Sequence, residues 1–269
     1  MKPQQIMKTG DNQERILVVG LGNIGQNVYQ ELKQFDPDTY DIKDPNQPRK
    51  HEEYNFVFIC VDTPYVSKEN PCDISAIEDA IKTWKNKLAP QGIIVIKSSI
   101  LPHHLDILAK IDETIRLVFS PIIYGKTQHS DSNNFNFDYT ILGGNKHVCI
   151  EVQQLLQKVH NACHKFRIVD ARTASVAKYM ENCYLATKVS FCNQFAEISK
   201  QAGVDYEDVR ELFILDPRVN PSHTFVYNDK PYWDSHCLNK DVAAIAETYD
   251  ATLLKYITDY NNLCKTNAK

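Results

Sequence analysis

Residues 173–202 read TASVAKYMENCYLATKVSFCNQFAEISKQA and contain no glycine or proline. The next residue is Gly203, which suits the left-handed conformation that ends many helices. The stretch therefore predicts one helix, of roughly 45 Å at about 1.5 Å per residue. Its apolar residues point in several directions, which indicates burial by more than one neighbour. We expect this helix to join an N-terminal domain to the residues that follow it.

Two polar residues of this helix are candidates for a functional role. Lys178 and Asn182 are four positions apart, so they share one face of the helix. A lysine on the packed side of a helix needs a partner or a function, because burying an unpaired charge costs free energy. A solvated lysine beside a structural asparagine is the alternative, and the helix alone leaves both interpretations open.

A glycine motif follows the apolar run RILVV of residues 15–19. It has the form GxGxxG, and the pattern of residues 26–35 after it favours a helix. In this setting the glycines allow a tight turn and let a pyrophosphate approach the start of the helix. The motif therefore predicts dinucleotide binding. The predicted contacts are Gly20, Gly22, Asn23, Ile24 and Gly25.

An acidic residue should end the next short strand, residues 39–43, and bind the ribose hydroxyls of the adenosine. Asp41 has the expected spacing of about 20 residues from the first glycine. Asp44 is the alternative if residues 36–38 are an insertion. Either carboxylate would repel a 2′-phosphate, so the sequence favours NAD over NADP.

Strand and helix patterns alternate up to about residue 169. This predicts an α/β fold in which a doubly wound, Rossmann-type parallel sheet forms an N-terminal domain (1–169, with a flexible tail at 1–14). An all-helical domain built on the long helix follows (170–269), with further helices at 206–213 and 242–254. The predicted later strands are residues 56–61, 92–97, 115–119, 139–142 and 165–169, and the predicted crossover helices are 74–88 and 146–159.

Three residues lie where buried strands end. Val61 and Thr63 close the strand FVFICV, and Ser99 follows the strand GIIVIK. Ligands of parallel α/β sheets bind at the carboxyl ends of the strands. We therefore expect these three residues to lie at the cofactor site.

Composition excludes several classes of protein. The formal net charge of −4 over 269 residues argues against nucleic acid as a partner. No apolar run approaches 18 residues, so no membrane span is expected. Eight cysteines occur without a CxxC pair, which indicates reduced thiols and no metal site. The polar N-terminus has no apolar signal core, and we expect a cytoplasmic protein.

Cys237 stands shortly before the helix predicted at 242–254 and three residues before Lys240. A helix start and a nearby ammonium group both lower the pKa of a thiol, so a reactive cysteine is one interpretation. A buried structural cysteine is the other.

Taken together, these stretches resemble the UDP-glucose/GDP-mannose dehydrogenase family over nearly the whole chain. The helix segment and the cysteine segment are the specific part of the resemblance, whereas the glycine motif is common to many dehydrogenases. The segments that carry it are VVGLGNIG, FICVDTP, IKSSI, AKYMENCYLATKVSFCNQFAEI, LDPRV and CLNKD.

The resemblance implies that NAD⁺ oxidises the primary alcohol of a nucleotide sugar such as UDP-glucose. Cys237 would add to the aldehyde and then carry a thioester. Lys178 and Asn182 would stabilise an oxyanion, and Asp241 would orient or activate water. Lys240 would lie near the cofactor.

The resemblance also implies that Arg218 reaches the substrate across a dimer interface. We expect a homodimer that packs along the 173–202 helix. A monomer would contradict this expectation.

The sequence departs from the family pattern at three places. Residues 120–126 read SPIIYGK, where the family carries two glutamates, one of which is the base for thioester hydrolysis. Residues 232–237 read YWDSHC, where the family has glycines. The chain also stops about where the family's UDP-binding domain begins, so a truncated form is expected. His236 could replace the missing base, or it could be an ordinary exposed histidine.

Three hypotheses remain open from the sequence. The first is a nucleotide-sugar 6-dehydrogenase, the second a relative of the β-hydroxyacid dehydrogenases that uses Lys178, and the third a cofactor-binding scaffold with impaired catalysis. The sequence leaves open the sugar, the number of oxidations, whether a separate chain supplies the missing domain, and whether Asp41 or Asp44 binds the ribose.

Overall fold

The computed structural model of the protein describes residues 14–122 and 139–268. Most of the predicted tail lies outside the described residues. Its last residue, Glu14, pairs with Lys158 at 2.7 Å. Within the described residues, no helix is long and apolar enough to cross a membrane.

One seven-stranded sheet forms the N-terminal part, in the order β2-β1-β3-β4-β5-β6-β7. All neighbouring strands are parallel except β5 and β6, which run antiparallel. The predicted α/β class with a Rossmann-type sheet is confirmed, but the sheet is mixed at one pair. The strands are β1 Ile16–Val19, β2 Asp38–Tyr40, β3 Tyr54–Ile59, β4 Leu88–Ile96, β5 Arg116–Phe119, β6 Tyr139–Gly144 and β7 Lys165–Val169.

Helices cover both faces of this sheet and form the second part of the chain. Short 3₁₀ turns follow α1 and α2, at Lys33–Phe35 and Lys85–Lys87. The α-helices are α1 Asn23–Glu31, α2 Ser75–Trp84, α3 His104–Ala109, α4 Lys146–Gln157, α5 Ala171–Ala202, α6 Tyr206–Phe213, α7 His236–Thr248 and α8 Thr252–Asn267.

The central strands are buried on both faces, which explains their continuous apolar runs. Along β4, Ile94 and Ile96 pack in one cluster with residues of α2, including Ile77. Ile93 and Val95 point to the opposite face and join a second cluster with α1 and α4. The sheet therefore has an apolar core on each face. The carboxyl ends of its strands, where ligands of such sheets bind, belong to the site described below.

Helix α5 begins and ends as the sequence predicts. Asp170 accepts the backbone N–H of Thr173 at 2.9 Å, and Gly203 ends the helix with φ of +73°. Its first turns lie directly on β6: a Cβ at Gly143 would come within 2.8 Å of Ala171 Cα and Ala174 Cβ. The small residues at this contact allow the close approach.

Only part of the burial expected for the apolar residues of α5 occurs within a single chain. The side packed against the protein carries small and polar residues, and a stripe of large apolar side chains faces outward instead. The outward residues recur at intervals of three, four and seven, as one helical face requires. This outer stripe consists of Val176, Met180, Tyr184, Phe191, Phe195 and Ile198.

The C-terminal helices also differ from the prediction. The helix expected at 242–254 is two helices, because Asp250 adopts a left-handed φ of +49° between α7 and α8. Helix α7 begins early, at His236, since Ser235 caps it by accepting the N–H of Leu238 at 3.1 Å. In the segment before α7, Trp233 is buried and donates its ring N–H to Ser190 at 2.9 Å.

Candidate active site

The glycine turn between β1 and α1 has the geometry of a phosphate-binding loop. Gly20 has φ of +86° and donates its N–H to Tyr40 at 2.8 Å. A Cβ at Gly25 would lie 1.7 Å from the Gly20 oxygen, so this glycine is required for packing. A Cβ at Gly22 would meet no described atom within 4 Å. The outer side of the turn is therefore open to a ligand.

Helix α1 starts immediately after this turn, with Asn23 and Ile24 as its first residues and no side chain capping its N-terminus. Backbone N–H groups at the start of a helix attract anions. The open turn and the uncapped helix start together fit the pyrophosphate of a dinucleotide.

Asp41 is the acidic residue that lies against the glycine turn. Its carboxylate accepts the N–H of Leu21 at 2.7 Å and that of Lys43 at 2.9 Å. These two hydrogen bonds lower the pKa of Asp41, and burial opposes them. Asp44 is exposed and bonds the Asp41 carbonyl only through its backbone N–H, at 3.0 Å. The geometry thus favours Asp41 over Asp44 for a ribose contact.

The ends of β3 and β4 are tied together at the carboxyl edge of the sheet. Thr63 is buried and donates its hydroxyl to the Ser99 carbonyl at 2.8 Å. The Ser98 hydroxyl donates to the Val61 carbonyl at 2.5 Å. Val61, Thr63 and Ser99 are therefore neighbours, as their positions at the strand ends predict.

A buried polar cluster joins α5 to α7 beside this edge. The side-chain N–H of Asn182 donates to Asp241 at 2.5 Å, and Lys178 donates to the Asn182 oxygen at 3.2 Å. Lys240 contacts the other Asp241 oxygen at 2.6 Å and reaches the Thr63 hydroxyl at 3.4 Å. The structure therefore brings four of the predicted residues together and links them to the end of β3.

The charges of this cluster are compensated internally. Asp241 is only 1 % exposed, and Lys178 is 5 % exposed and pairs with Glu181 at 3.1 Å. Burial lowers the pKa of Lys240, but the adjacent Asp241 carboxylate outweighs it, so the Lys240 pKa is raised. Buried charges are tolerated only when they are paired in this way.

Cys237 lies in the first turn of α7, four residues before Asp241. The sequence-based expectation of a lowered thiol pKa is wrong. Burial and the Asp241 carboxylate raise the pKa of Cys237, and the ammonium groups of Lys240 and Lys178 offset only part of that effect. The prediction counted the lysine and the helix start, but it had no means of locating the buried carboxylate.

Arg218 does not join the cluster within this chain. Its side chain is 88 % exposed and forms an ion pair with Asp216 at 2.5 Å. The two residues are two positions apart in a loop, and the Arg218 side chain points into solvent. A contact of Arg218 with substrate therefore requires either a second copy of the chain or a change in this loop.

Sequence reasoning missed several neighbours of the cluster. Glu181 is three residues from Lys178, so helix spacing alone could have identified that pair. Tyr179 donates its hydroxyl to Cys72 at 3.8 Å, and this contact spans 107 positions and leaves no local signal. Asp62 lies 3.5 Å from His236, a pair that becomes visible only once α7 is docked on the end of β3.

A Rossmann-type sheet with an open glycine turn at the start of a helix defines the class of dinucleotide-binding proteins. Comparison with known families makes this specific. Residues 43–164 match the NAD binding domain, and residues 172–263 the central domain, of the UDP-glucose/GDP-mannose dehydrogenase family. The chain belongs to this family and carries its NAD-binding domain.

The most similar proteins act on different sugars. The chain is 28 % identical over 227 residues to the UDP-N-acetyl-D-mannosamine dehydrogenase of Methanococcus vannielii, covering 82 % of this chain and 51 % of that protein. It is 26 % identical over 227 residues to the UDP-glucose 6-dehydrogenase of Rickettsia prowazekii, covering 80 % and 50 %. The chain thus spans about half the length of these curated relatives.

Among solved structures, a UDP-glucose dehydrogenase from Pyrobaculum islandicum superposes with a TM-score of 0.79. The superposition covers 96 % of this chain and 70 % of that one at 18 % identity. At this identity the likeness supports the fold alone.

Proposed function

We propose that the protein is an NAD-dependent nucleotide-sugar dehydrogenase of the UDP-glucose 6-dehydrogenase type, which oxidises the primary alcohol of a UDP-sugar. The observation that carries the proposal is the buried chain of contacts from Lys178 through Asn182 and Asp241 to Lys240. The charges of Asp241, Lys240 and Lys178 in this cluster all act on the thiol of Cys237, which lies on the same helix as Asp241 and Lys240.

The residues present fit the cofactor. The turn at Gly20, Gly22 and Gly25 would hold the pyrophosphate, and Asp41 would bind the ribose. Thr63 and Ser99 would line the same edge of the sheet. Bound NAD⁺ would accept a hydride from the substrate carbon at each oxidation.

The chain's own residues would handle the carbonyl chemistry. The sulfur of Cys237 would bond to the aldehyde carbon and later carry the acyl group as a thioester. Lys178 would stabilise negative charge on the substrate oxygen from a preorganised, buried position. Asp241 holds Asn182 and Lys240 in place, because its two carboxylate oxygens contact those two side chains.

We also propose that two copies of the chain pair along α5. The outer stripe of that helix leaves Met180 73 % and Tyr184 62 % exposed, although large apolar side chains are usually covered. A second copy placed there would bury the stripe and could bring its Arg218 to the substrate.

The decisive experiment measures NADH formation by the purified protein with NAD⁺ and a panel of UDP- and GDP-sugars, including UDP-glucose and UDP-N-acetylmannosamine. The Cys237→Ala variant is assayed in parallel, and Cys163→Ser serves as the control because Cys163 is also exposed. The proposal expects turnover that is lost only in Cys237→Ala.

Other outcomes would favour the alternatives. Turnover that survives Cys237→Ala would point to a dehydrogenase that uses Lys178 for a single alcohol oxidation. Binding of NAD⁺ without turnover of any sugar would favour a cofactor-binding scaffold.

A further inference from the structure

Turnover through a thioester on Cys237 requires a base that removes a proton from the attacking water. Asp241 cannot readily serve, because it is 1 % exposed and its two oxygens are engaged by Asn182 and Lys240. A base for hydrolysis must reach solvent and must lie beside the sulfur.

Within residues 14–122 and 139–268, His236 is the candidate for this base. It is the first residue of α7, next to Cys237, and its side chain is 67 % exposed. Its Nε2 atom lies 3.5 Å from an Asp62 oxygen. An exposed ion pair of this kind contributes little to the stability of the fold.

The pair belongs to the same docking contact as the buried cluster. His236 and Lys240 are four residues apart and share one face of α7. His236 meets Asp62 while Lys240 reaches the hydroxyl of the adjacent Thr63, at 3.4 Å. Asp62 is also near enough to Cys237 for its charge to raise the pKa of that thiol. The pair therefore lies at the exposed start of α7, where Cys237 is the second residue.

We propose that His236, held by Asp62, is the general base that hydrolyses the acyl group on Cys237. This inference rests on the proposed function, because it assumes that Cys237 carries an acyl group. The imidazole takes a proton from water as the water oxygen bonds to the acyl carbon. The carbon–sulfur bond then breaks, the carboxylic acid leaves, and the proton passes to the departing thiolate. No oxidant is consumed in this step.

The test uses an activated ester, p-nitrophenyl acetate, so that it does not depend on the unknown sugar. The ester acetylates the thiol and releases p-nitrophenolate, and water then removes the acetyl group. All variants are made in a Cys163→Ser background, which removes the other exposed thiol. Intact-mass spectrometry after removal of excess ester gives the rate at which the acetyl group leaves Cys237.

We expect His236→Gln to slow loss of the acetyl group about 100-fold, at the lower end of general-base contributions, while acetylation itself persists. Asp62→Asn should slow it by roughly tenfold, because the imidazole is then less well oriented. The exposed His147→Gln should have no effect.

A pH series separates a catalytic role from a structural one. In the parent protein, the rate at which the acetyl group leaves should vary with pH, and His236→Gln should abolish that dependence although the neighbouring charged groups Asp62 and Lys240 remain. Unchanged deacetylation in His236→Gln would overturn the inference and leave Cys237 as nucleophile. Absence of acetylation at Cys237 would instead refute the proposed function, and this inference with it.

Discussion

The side-chain amide of Asn182 donates to the carboxylate of Asp241 at 2.5 Å and so joins the long helix α5 to α7. Both residues are buried, at 3 % and 1 % exposure. A buried carboxylate that loses a hydrogen-bond donor is left incompletely solvated, whether or not catalysis is considered. Loss of this hydrogen bond should therefore lower the free energy of unfolding by a measurable amount.

We expect Asn182→Ala to lower the free energy of unfolding by about 1–3 kcal/mol, the usual cost of leaving a buried polar group without its partner. Urea denaturation followed by circular dichroism would measure it. Asn262→Ala, on the exposed side of α8, is the matched control and should change stability by less than about 0.5 kcal/mol. If both substitutions change stability equally, the hydrogen bond between Asn182 and Asp241 does not contribute to folding.

Gly22 and Gly25 should respond differently to the same substitution. In Gly25→Ala the new methyl would lie 1.7 Å from the Gly20 oxygen, so the variant should be unstable or fail to fold. In Gly22→Ala the methyl meets no described atom within 4 Å, so the melting temperature should be unchanged. Affinity for NAD⁺, measured by calorimetry, should nevertheless fall roughly tenfold or more, because the methyl occupies the approach of the pyrophosphate.

The Gly22→Ala result also tests the cofactor site. Unaltered NAD⁺ affinity in a stable Gly22→Ala protein would show that the cofactor does not approach this turn.

His104 should make the protein sensitive to mild acid. Burial lowers the pKa of its imidazole from 6.5 to about 4, with a further lowering by His103 and a small opposing effect of Asp73. Its Nδ1 atom has no hydrogen-bond partner among the described residues. Between these two pKa values the unfolded chain binds a proton that the folded chain does not, so stability falls as the pH decreases from 6.5 to 4.

Replacing His104 with leucine should remove this dependence. The stability lost between pH 7 and pH 4 should shrink by about 3 kcal/mol or less, measured by urea unfolding at a series of pH values. His147→Leu, at an exposed position on α4, should leave the loss of stability between pH 7 and pH 4 unchanged. If His104→Leu loses as much stability over this range as the parent protein, the imidazole of His104 takes up its proton equally well in the folded and the unfolded protein.

The outer stripe of α5 predicts self-association. Light scattering at micromolar concentration should give the mass of a dimer for the parent protein. Met180→Lys places a charge at a position that is 73 % exposed in the single chain, so it should give a folded monomer. Glu52→Gln, which changes the net charge equally at an exposed site, should remain dimeric. A parent protein that is already monomeric would refute the dimer.

Much of the fold could be predicted because its signals are local. The glycine turn, the cap at Gly203 and the alternation of apolar runs depend on neighbours in sequence, and the structure agrees with them. The antiparallel β5–β6 pair could not be predicted, since strand direction depends on the path of the chain between Phe119 and Tyr139 rather than on strand composition.

The site was predictable as a set of residues but not as an electrostatic environment. Helix spacing related Lys178 to Asn182, the family resemblance added Lys240 and Asp241, and the four side chains form one chain of contacts. The raised thiol pKa of Cys237 depends on how deeply Asp241 is buried, which is a tertiary property. Which apolar residues of α5 face outward is also a tertiary property, because small residues are sufficient to pack the start of the helix on the sheet.

The contact between Gly143 and Ala174 has a consequence for how the site can adjust to a substrate. With no room for even a methyl group between β6 and the start of α5, the helix has no freedom to slide or roll at that end. Lys178 follows one turn after Ala174 and Asn182 two turns after it, so the contact at Gly143 fixes the positions of both residues relative to the sheet. Helix α7 is held against α5 by its polar contacts to Thr63 and Asn182 and by an apolar cluster that includes Val242 and Ala186. We expect the start of α5 to keep its position relative to the sheet when a substrate binds.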